Sequence, residues 1–247
     1  MKAKEVRKKI LLIIQLPPPV HGVSVINNIV YNHLKSIPFY QIELIKLNIA
    51  VSFNQIRQIR LSRLIFFLKR LLKIRWIMNN SKPDLVYFSF MTVGIGFIRD
   101  YLILSVIKRY PTKIVLHLHN KGIRRNSKNK FLKYLYVNAF NETNIIHLSE
   151  KLILDEFQNI KLRDCRFIAL PNTCSQLFIE KASKDKNTLE IIFFSNIFPE
   201  KGYMPVLEAF KTIIENKYKV ELTIYGQPLR NKYEREIITY IKQNNLE

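Results

Sequence analysis

The residues best suited to chemistry in this chain come directly after short apolar runs. His117 and His119 close the run Lys113–His119, and Lys201 follows the run Glu190–Ser195. Gly22 follows the first apolar run of the chain after three consecutive prolines. Imidazole rings bind metals or hydrogen-bond to ligands, and a lysine beside a glycine can hold a phosphate as a point charge. These residue types indicate a site for a polar, phosphorylated ligand.

The first loop, Pro17–Ser24, leads into a predicted helix that opens near Gly22. A glycine lets the backbone approach a ligand, and the unpaired N–H groups of a helix start suit a phosphate. The loop lacks the GxGxxG pattern of dinucleotide-binding proteins, so a nicotinamide or flavin cofactor is poorly supported. A proline-stiffened turn that ends in a glycine cap is the structural alternative.

The two histidines near the fourth apolar run alternate with Leu118. Alternate residues of a strand point to the same side, so His117 and His119 are expected to share a face at the carboxyl edge of the sheet. A metal site built on these two histidines would need a third ligand at a spacing typical of metal sites. The sequence shows no such ligand, so we predict no metal and no cofactor. His117 suits a structural hydrogen bond. His119 ends its strand before a polar loop and is the candidate site residue.

Strands and helices must alternate along the chain to position these residues. Unbroken Val, Ile, Leu and Phe runs are typical of parallel strands covered on both faces. The predicted strands are Ile10–Gln15, Gln41–Leu47, Leu85–Ser89, Lys113–His119, Asn144–Leu148, Arg166–Leu170, Glu190–Ser195 and Glu221–Tyr225. The predicted helices are Gly22–Ser36, Ile56–Asn79, Gly96–Tyr110, Ser127–Asn141, Ser149–Gln158, Met204–Asn216 and Lys232–Asn244. This alternation predicts an α/β fold with doubly wound, Rossmann-like sheets.

A polar stretch, residues 180–187, interrupts the alternation and is interpreted as a linker. It divides the chain into two predicted Rossmann-like domains, residues 1–180 and residues 188–247. The second domain holds two predicted strands, so we expect it to be partial and the chain to be truncated at its C-terminus.

The composition favours an anionic partner, and lysines on solvated faces are the alternative source of part of the charge. The 247-residue chain carries a formal net charge of +21 and a pI near 10.0. Nucleic acid, an anionic membrane and phosphorylated ligands all satisfy that charge. No known nucleic-acid-binding module is present, which disfavours the first class. Cys165 and Cys174 have no metal or disulfide pattern, and no run is long enough to span a bilayer. We therefore expect a cytoplasmic location.

The segment Leu61–Met78 suggests peripheral contact with the inner membrane face. At 3.6 residues per turn, one helix face gathers Leu61, Leu64, Ile65, Leu68, Leu71 and Leu72. The other face gathers Arg63, Lys69, Arg70 and Lys73, with Phe66 and Ile77 among them. A core-packed helix with a solvated basic side is one interpretation. A helix that docks on anionic lipid is the other, because it would place apolar groups among its cations.

The ordered set of these motifs resembles the family-four retaining glycosyltransferases of the GT-B class. The resemblance covers residues 10–228 and rests on the proline-rich first loop, the strand that ends at His119, and a series of later turns. Those turns are Leu148–Glu150, Leu170–Asn172, Ser195–Gly202 with the helix after it, and Ile224–Gly226.

The resemblance implies that the two Rossmann-like domains face across a donor-binding cleft, with residues 1–180 as the acceptor-side domain and residues 188–247 as the partial donor-binding domain. It implies that His119 lies beside the transferred sugar and acts in catalysis. It also implies that the donor is bound by Gly22, Asn196, Lys201 and Gly226. Gly22 would offer its N–H to the donor phosphates, and Lys201 would hold the diphosphate across the cleft from Gly22. A nucleotide sugar would be the substrate, and a glycan or lipid-linked molecule the acceptor, in bacterial surface-polysaccharide synthesis.

The sequence departs from the family pattern at three places. Asn196 stands where members usually have a second basic residue, and His21 stands where many have the first glycine of a pair. The paired-glutamate segment and the returning final helix of the family do not occur before Glu247. A non-catalytic remnant or a fragment of such an enzyme is therefore the alternative to an active transferase.

Overall fold

A computed structural model describes residues 8–18, 20–47, 60–173 and 188–246. The predicted α/β class is confirmed, with Rossmann-like parallel sheets covered by helices. The chain divides into two compact units, residues 1–176 and 177–247. The predicted linker at residues 180–187 lies outside the described residues.

The described part of the first unit forms a six-stranded parallel sheet in the order β2-β1-β3-β4-β5-β6. Its strands are β1 (Lys8–Ile14), β2 (Tyr40–Lys46), β3 (Leu85–Phe90), β4 (Lys113–Leu118), β5 (Asn144–His147) and β6 (Arg166–Ala169). The strand order reverses between β1 and β3. Ligands of such sheets bind where the order reverses, at the carboxyl ends of the strands. The loops after β1 and β3 therefore border the expected site.

Helices connect consecutive strands of this unit. They are α1 (Gly22–Ser36), α2 (Arg60–Asn80), α3 (Gly94–Ile107), α4 (Ile123–Asn126), α5 (Lys130–Phe140) and α6 (Glu150–Phe157). Two predicted boundaries were wrong in ways that affect the site. β4 ends at Leu118, so His119 is the first residue of the following loop. The predicted helix Ser127–Asn141 is preceded by the separate turn of α4, which closes that loop.

The two faces of the first sheet are buried by different helices. Val30, Tyr31 and Leu34 of α1 pack on one face, against residues such as Leu12 and Ile14. The other face carries the larger core, where α2, α3, α5 and α6 pack against β1, β3, β4 and β5. Because α1 follows the carboxyl end of β1, its N-terminus lies at the carboxyl edge of the sheet, next to the loop that precedes it.

The second unit has a two-stranded parallel sheet in its described residues. Its elements are β7 (Leu189–Phe194), α7 (Tyr203–Glu215), β8 (Val220–Tyr225) and α8 (Asn231–Gln243). One face packs Phe193, Leu222 and Ile224 against the helices. The opposite face exposes Ile192, Phe194 and Tyr225.

The predicted division of α2 into one apolar and one basic face was wrong. The core contact is made by Phe67, Leu71, Ile74, Ile77 and Met78, so Ile77 is buried and does not lie among the cations. Three residues assigned to the apolar face are exposed instead: Ile65, Leu68 and Leu72. The sequence of the helix is apolar on two sides. Because the sheet face buries only one of these two stripes, the other stays exposed. Within the described residues, no helix has the length and apolar character to cross a bilayer.

Candidate functional site

The N-terminus of α1 is capped by the residue before it. His21 Nδ1 accepts a hydrogen bond from the Ser24 backbone N–H at 3.3 Å, and Ser24 Oγ accepts one from the His21 N–H at 3.0 Å. This reciprocal capping box explains how a histidine can stand at this position. The sequence had identified His21 only as a departure from the family loop.

Gly22 is the first residue of α1, and its surroundings are open. A Cβ atom added there would meet no atom within 4 Å, and its backbone angle is one that other residues adopt. Neither packing nor conformation therefore requires a glycine. An open approach to a helix N-terminus is what a phosphate would use, because the first N–H groups of a helix have no partner inside it.

His119 follows β4 at the same edge of the sheet. Both of its ring nitrogens are buried and have no hydrogen-bond partner among the described residues. Its ring centroid lies 4.0 Å from that of His117, which confirms that the two histidines are neighbours. A buried polar group without a partner is costly, so an imidazole in this state indicates a place where a ligand can supply the missing hydrogen bonds.

The imidazoles at this edge are neutral at physiological pH. Burial lowers the pKa of His119 to about 4, and the charges of His147 and His21 lower it further. Burial, followed by the charges of His119 and His147, lowers the pKa of His117 to about 3. The pKa of His147 is also lowered, mainly by burial. A neutral ring offers one donor and one acceptor, so His119 is suited to hydrogen-bonding with a polar ligand rather than to giving up a proton.

His117 is held by a buried tyrosine. Its Nδ1 is hydrogen-bonded to the hydroxyl of Tyr87 on β3, which confirms the structural hydrogen bond predicted for this histidine. Burial raises the pKa of Tyr87, so the phenol keeps its proton and can donate it to Nδ1. The proton of His117 then resides on Nε2. This pair fixes the ring that lies beside the ring of His119.

The loop that carries His119 is anchored on both sides. The backbone N–H groups of Gly122 and Ile123 donate to Glu156 Oε2 at 2.7 and 2.6 Å. Gly122 has φ +132°, and a Cβ there would lie 2.3 Å from Cγ1 of Val93. A larger residue could not occupy this position, so the glycine lets the loop close against the segment after β3.

Three polar residues near this edge were not identified from the sequence. Asn27 of α1 donates to Gln15 O and Ser89 Oγ, both at 3.1 Å, and its Oδ1 is buried without a partner among the described residues. His147 and Glu156 are the others. His147 is the last residue of β5, and His119 directly follows the last residue of β4. The strand-end pattern that identified His119 would therefore also have indicated His147. Asn27 and Glu156 lie inside helices and give no comparable signal.

In the second unit, Asn196, Lys201 and Gly226 all lie at the carboxyl edge of the sheet. Asn196 and Lys201 are exposed, and Lys201 ends a short 3₁₀ turn, Pro199–Lys201. The two strand-end loops are joined by hydrogen bonds from Ser195 N to Tyr225 O at 3.0 Å and from Ile197 N to Gln227 O at 2.9 Å.

Gly226 has a packing role of its own. A Cβ at this position would lie 1.7 Å from the Ser195 carbonyl oxygen, and its φ is +155°. The close approach of the two loops therefore demands a glycine whether or not a nucleotide lies beside it.

The residues after Lys201 start a helix whose N-terminus has no side-chain cap. Gly202 is the N-cap of α7 with φ +78°, and Pro205 follows in its first turn. A lysine next to an uncapped helix start adds a full positive charge to the partial charge of the helix dipole. This arrangement suits an anion such as a phosphate.

Within each unit the predicted residues lie at the carboxyl edge of the sheet, Gly22 and His119 in the first and Asn196, Lys201 and Gly226 in the second. The predicted approach of Gly22 to Lys201 stays a prediction. In the described ranges, no three His, Cys, Asp or Glu side chains are grouped so that they could hold a metal ion.

Comparison with known proteins shows similarity in fold. No protein-family model and no curated protein matches the sequence.

A solved structure described as an S. aureus MnaA–UDP co-structure matches with a TM-score of 0.51 and 10% sequence identity. The alignment covers 96% of this chain and 65% of that one. A structure described as the glycotransferase of kitacinnamycin matches with a TM-score of 0.48 and 8% identity, over 88% of this chain and 65% of the other. The chain thus spans about 65% of the length of these proteins, and the similarity to the MnaA–UDP structure shows that the chain shares the fold.

Proposed function

We propose that the chain is the donor-binding part of a glycosyltransferase that uses a nucleotide sugar. The observation that carries the proposal is an open helix N-terminus at Gly22 on the same sheet edge as the neutral ring of His119, whose nitrogens have no hydrogen-bond partner among the described residues. His119 and the cap residue His21 are close enough for the charge of one to affect the pKa of the other. A sugar bearing hydroxyl groups and a phosphate together match this pair.

The second unit carries a candidate anion site of its own. Lys201 stands beside the uncapped start of α7, and we infer that it binds the diphosphate and stabilises it as the bond to the sugar breaks. Asn196 can add an uncharged hydrogen bond, and Gly226 sits in the loop joined to that of Asn196. The similarity of the fold to a protein solved with UDP supports a uridine nucleotide as the first probe.

In this proposal His119 is a catalytic residue that contacts the transferred sugar through hydrogen bonds. With a pKa of about 4 the ring is neutral near pH 7, so it offers one N–H donor and one acceptor and does not act as a general acid. We infer that His119 holds the sugar, because the sugar hydroxyl groups can form the hydrogen bonds that its ring nitrogens do not make to the described residues. Departure of the nucleoside diphosphate then depends on Lys201 and on the helix N-termini. A retaining outcome, as in family-four enzymes, belongs to the proposal.

The acceptor in this proposal is a glycan or lipid-linked molecule of cell-surface polysaccharide synthesis, used at the cytoplasmic membrane face. The alternative is a protein that keeps donor binding without turnover. It differs from the transferase in one measurable respect, which is whether bound donor is consumed.

The test measures donor binding and donor fate separately. Isothermal titration of the purified chain with UDP and a panel of UDP-sugars reports binding, and chromatography of the same mixtures with a membrane extract as acceptor reports UDP release and sugar transfer. Binding with transfer supports the proposal. Binding without any change in the donor supports the non-catalytic alternative.

Two results would overturn the transferase assignment. The first is the absence of binding to any nucleoside diphosphate or nucleotide sugar. The second is conversion of the bound donor into another nucleotide sugar without an acceptor, since that reaction rearranges the sugar instead of transferring it.

A further inference from the structure

A pocket beside α2 lies on the edge strand β2, whose one sheet partner among the described strands is β1. It has a volume of about 480 Å³. Its walls combine apolar groups with four cations: Leu44, Ile45, Lys46, Phe66, Lys69, Arg70 and Lys73. None of the described residues that line it is a carboxylate. A pocket of this composition is suited to an anion with an apolar neighbour.

The cations of this pocket have no acidic partner. No salt bridge between described residues joins Lys46, Lys69, Arg70 or Lys73 to a carboxylate. The segment that connects β2 to α2, residues 48–59, contains neither Asp nor Glu in its sequence. Four cations therefore face one pocket with no ion pair to a carboxylate among the described residues, and they repel one another until an anion enters.

Arg70 shows this surplus of positive charge most clearly. Its guanidinium carbon lies 4.6 Å from the centroid of the Phe66 ring, which forms a cation–π contact. The carboxylate that acts on it, Asp100, already accepts hydrogen bonds from Arg99 at 2.7 Å and from the Met91 N–H at 2.9 Å. Burial and the charge of Arg99 lower the pKa of Arg70, and Asp100 opposes them less strongly. Two guanidinium groups thus share one carboxylate.

An exposed apolar stripe on the same helix starts next to the pocket. Its side chains are spaced three or four residues apart, and they are 46%, 48%, 66% and 61% exposed at Ile65, Leu68, Leu72 and Trp76. This spacing places them along one side of α2. Phe66, which lines the pocket, is also 51% exposed. The surface therefore offers cations and a continuous apolar strip to the same partner.

We propose that this pocket binds the phosphate head group of an anionic membrane lipid while the stripe enters the lipid interface. The head group would be held by Lys46, Lys69, Arg70 and Lys73, and the acyl region would cover Ile65, Leu68, Leu72 and Trp76. A nucleic acid would use the cations but would leave four large exposed side chains in water. This site is separate from the donor site and does not depend on the glycosyltransferase proposal.

The experiment uses the full chain and vesicles of phosphatidylcholine, either alone or with one fifth phosphatidic acid. Trp76 is the one tryptophan of the sequence, so its fluorescence reports directly on the stripe. Cosedimentation gives the affinity. The pocket variant combines Lys69→Gln, Arg70→Gln and Lys73→Gln. The matched control combines Lys128→Gln, Lys130→Gln and Lys133→Gln, which removes the same charge from exposed positions near α5.

We expect the chain to bind the phosphatidic acid vesicles with a blue shift of Trp76, and to bind neutral vesicles weakly. Since each well-placed cation contributes about fivefold to affinity for an anionic surface, the pocket variant should lose roughly a hundredfold and the control much less. Leu68→Ser with Leu72→Ser should reduce binding, whereas Leu154→Ser, at a residue 74% exposed on α6, should not. Circular dichroism checks that each variant remains folded.

Three outcomes would overturn the proposal. Equal loss in the pocket variant and in the control would mean that net charge alone drives the binding. Equal binding to neutral and anionic vesicles would remove the role of the phosphate. Saturation of the pocket by inorganic phosphate or a short RNA, lost in the pocket variant and without any vesicle binding, would identify a soluble anion or a nucleic acid as the occupant.

Discussion

The carboxyl edges of the two sheets differ in how they present polar groups. The edge of the first unit holds His117 and His147 in buried positions, with His119 partly covered beside them, and keeps them neutral. The edge of the second unit exposes Asn196 and Lys201 to solvent, beside an uncapped helix. Burial keeps the imidazoles of the first edge uncharged, whereas the second edge carries the exposed side chain of Lys201. The first edge is therefore suited to an uncharged, hydroxylated group and the second to an anion.

The difference predicts a division of labour that mutations can separate. Changes at the first edge should affect selection of the sugar, and changes at the second should affect affinity for the diphosphate. The glycines follow a related contrast, because Gly226 is required by packing and Gly22 is not. The four expected effects below run from the largest to the smallest.

Replacing Lys201 by Ala should have the largest effect on turnover. Loss of one group that stabilises developing charge typically lowers kcat by about 10² to 10³, which corresponds to roughly 3–4 kcal/mol. Steady-state kinetics of the active protein with a UDP-sugar measures it. Lys219→Ala, at an exposed position by the opposite end of the same sheet, is the control. Equal rates for wild type and Lys201→Ala would remove Lys201 from the mechanism.

Replacing Gly226 by Ala should destabilise the second unit by about 1–3 kcal/mol, because the new Cβ would collide with the Ser195 carbonyl and φ is unfavourable. Gly202→Ala has the strained φ of +78° without a collision, so its cost should be smaller. Hydrogen exchange of the β7 and β8 amides measures both. Equal protection in the two variants would show that the loops separate easily and that Gly226 has no packing role.

The buried histidines should make the first unit sensitive to acid. A histidine with a lowered pKa binds its proton more readily in the unfolded chain, so the folded state loses stability as pH falls from about 6.5 towards the folded value. For His117, with a pKa of about 3, the contribution reaches about 1.4 kcal/mol per pH unit in that window. Urea unfolding followed by Trp76 at several pH values gives the slope.

A matched pair of variants isolates that slope. His117→Gln should reduce it, whereas His33→Gln, at the last turn of α1, should leave it unchanged. Burial raises the pKa of Asp100, so this carboxyl changes stability in the opposite direction, but it does so equally in both variants. The same slope in wild type and His117→Gln would mean that this ring is protonated normally.

Replacing Gly22 by Ala should have the smallest effect on stability, within about 0.5 kcal/mol, because the added methyl meets no neighbour. Affinity for UDP should nevertheless fall by roughly threefold to tenfold if the donor phosphates approach this N–H group. Thermal unfolding and titration calorimetry measure the two quantities. Unchanged affinity would place the phosphates elsewhere.

The fold could be predicted from the sequence in detail where a segment carried a single hydrophobic pattern. Apolar runs, several of them unbroken, identified the strands that the structure describes, and the predicted bounds of α1 agree with the structure. Helix α2 shows the limit of the method. Its sequence carries two apolar stripes, and a helical wheel cannot tell which one the sheet buries. That choice depends on neighbouring residues such as Ile45 and Leu47, which pack with Ile74 and Ile77 in the core.

The candidate site could be predicted only in part, for a different reason. Strand ends are visible in a sequence, so His119 was placed at the correct edge. The residues that form hydrogen bonds at this edge come from elements that are far apart in the sequence. Asn27 reaches Ser89 across 62 residues, and Glu156 reaches Gly122 across 34. The capping role of His21 was missed because histidine is an uncommon N-cap and its geometry becomes evident only in three dimensions.

The most direct test of the account compares the affinities of UDP and a UDP-sugar for three proteins: wild type, His119→Ala and Lys201→Ala. Titration calorimetry at two salt concentrations is the measurement. We predict that Lys201→Ala weakens both ligands and reduces the salt dependence, whereas His119→Ala leaves UDP binding unchanged and removes the additional affinity for the UDP-sugar. Unchanged UDP affinity in Lys201→Ala, or an equal loss for both ligands in His119→Ala, would contradict the division of labour between the two edges.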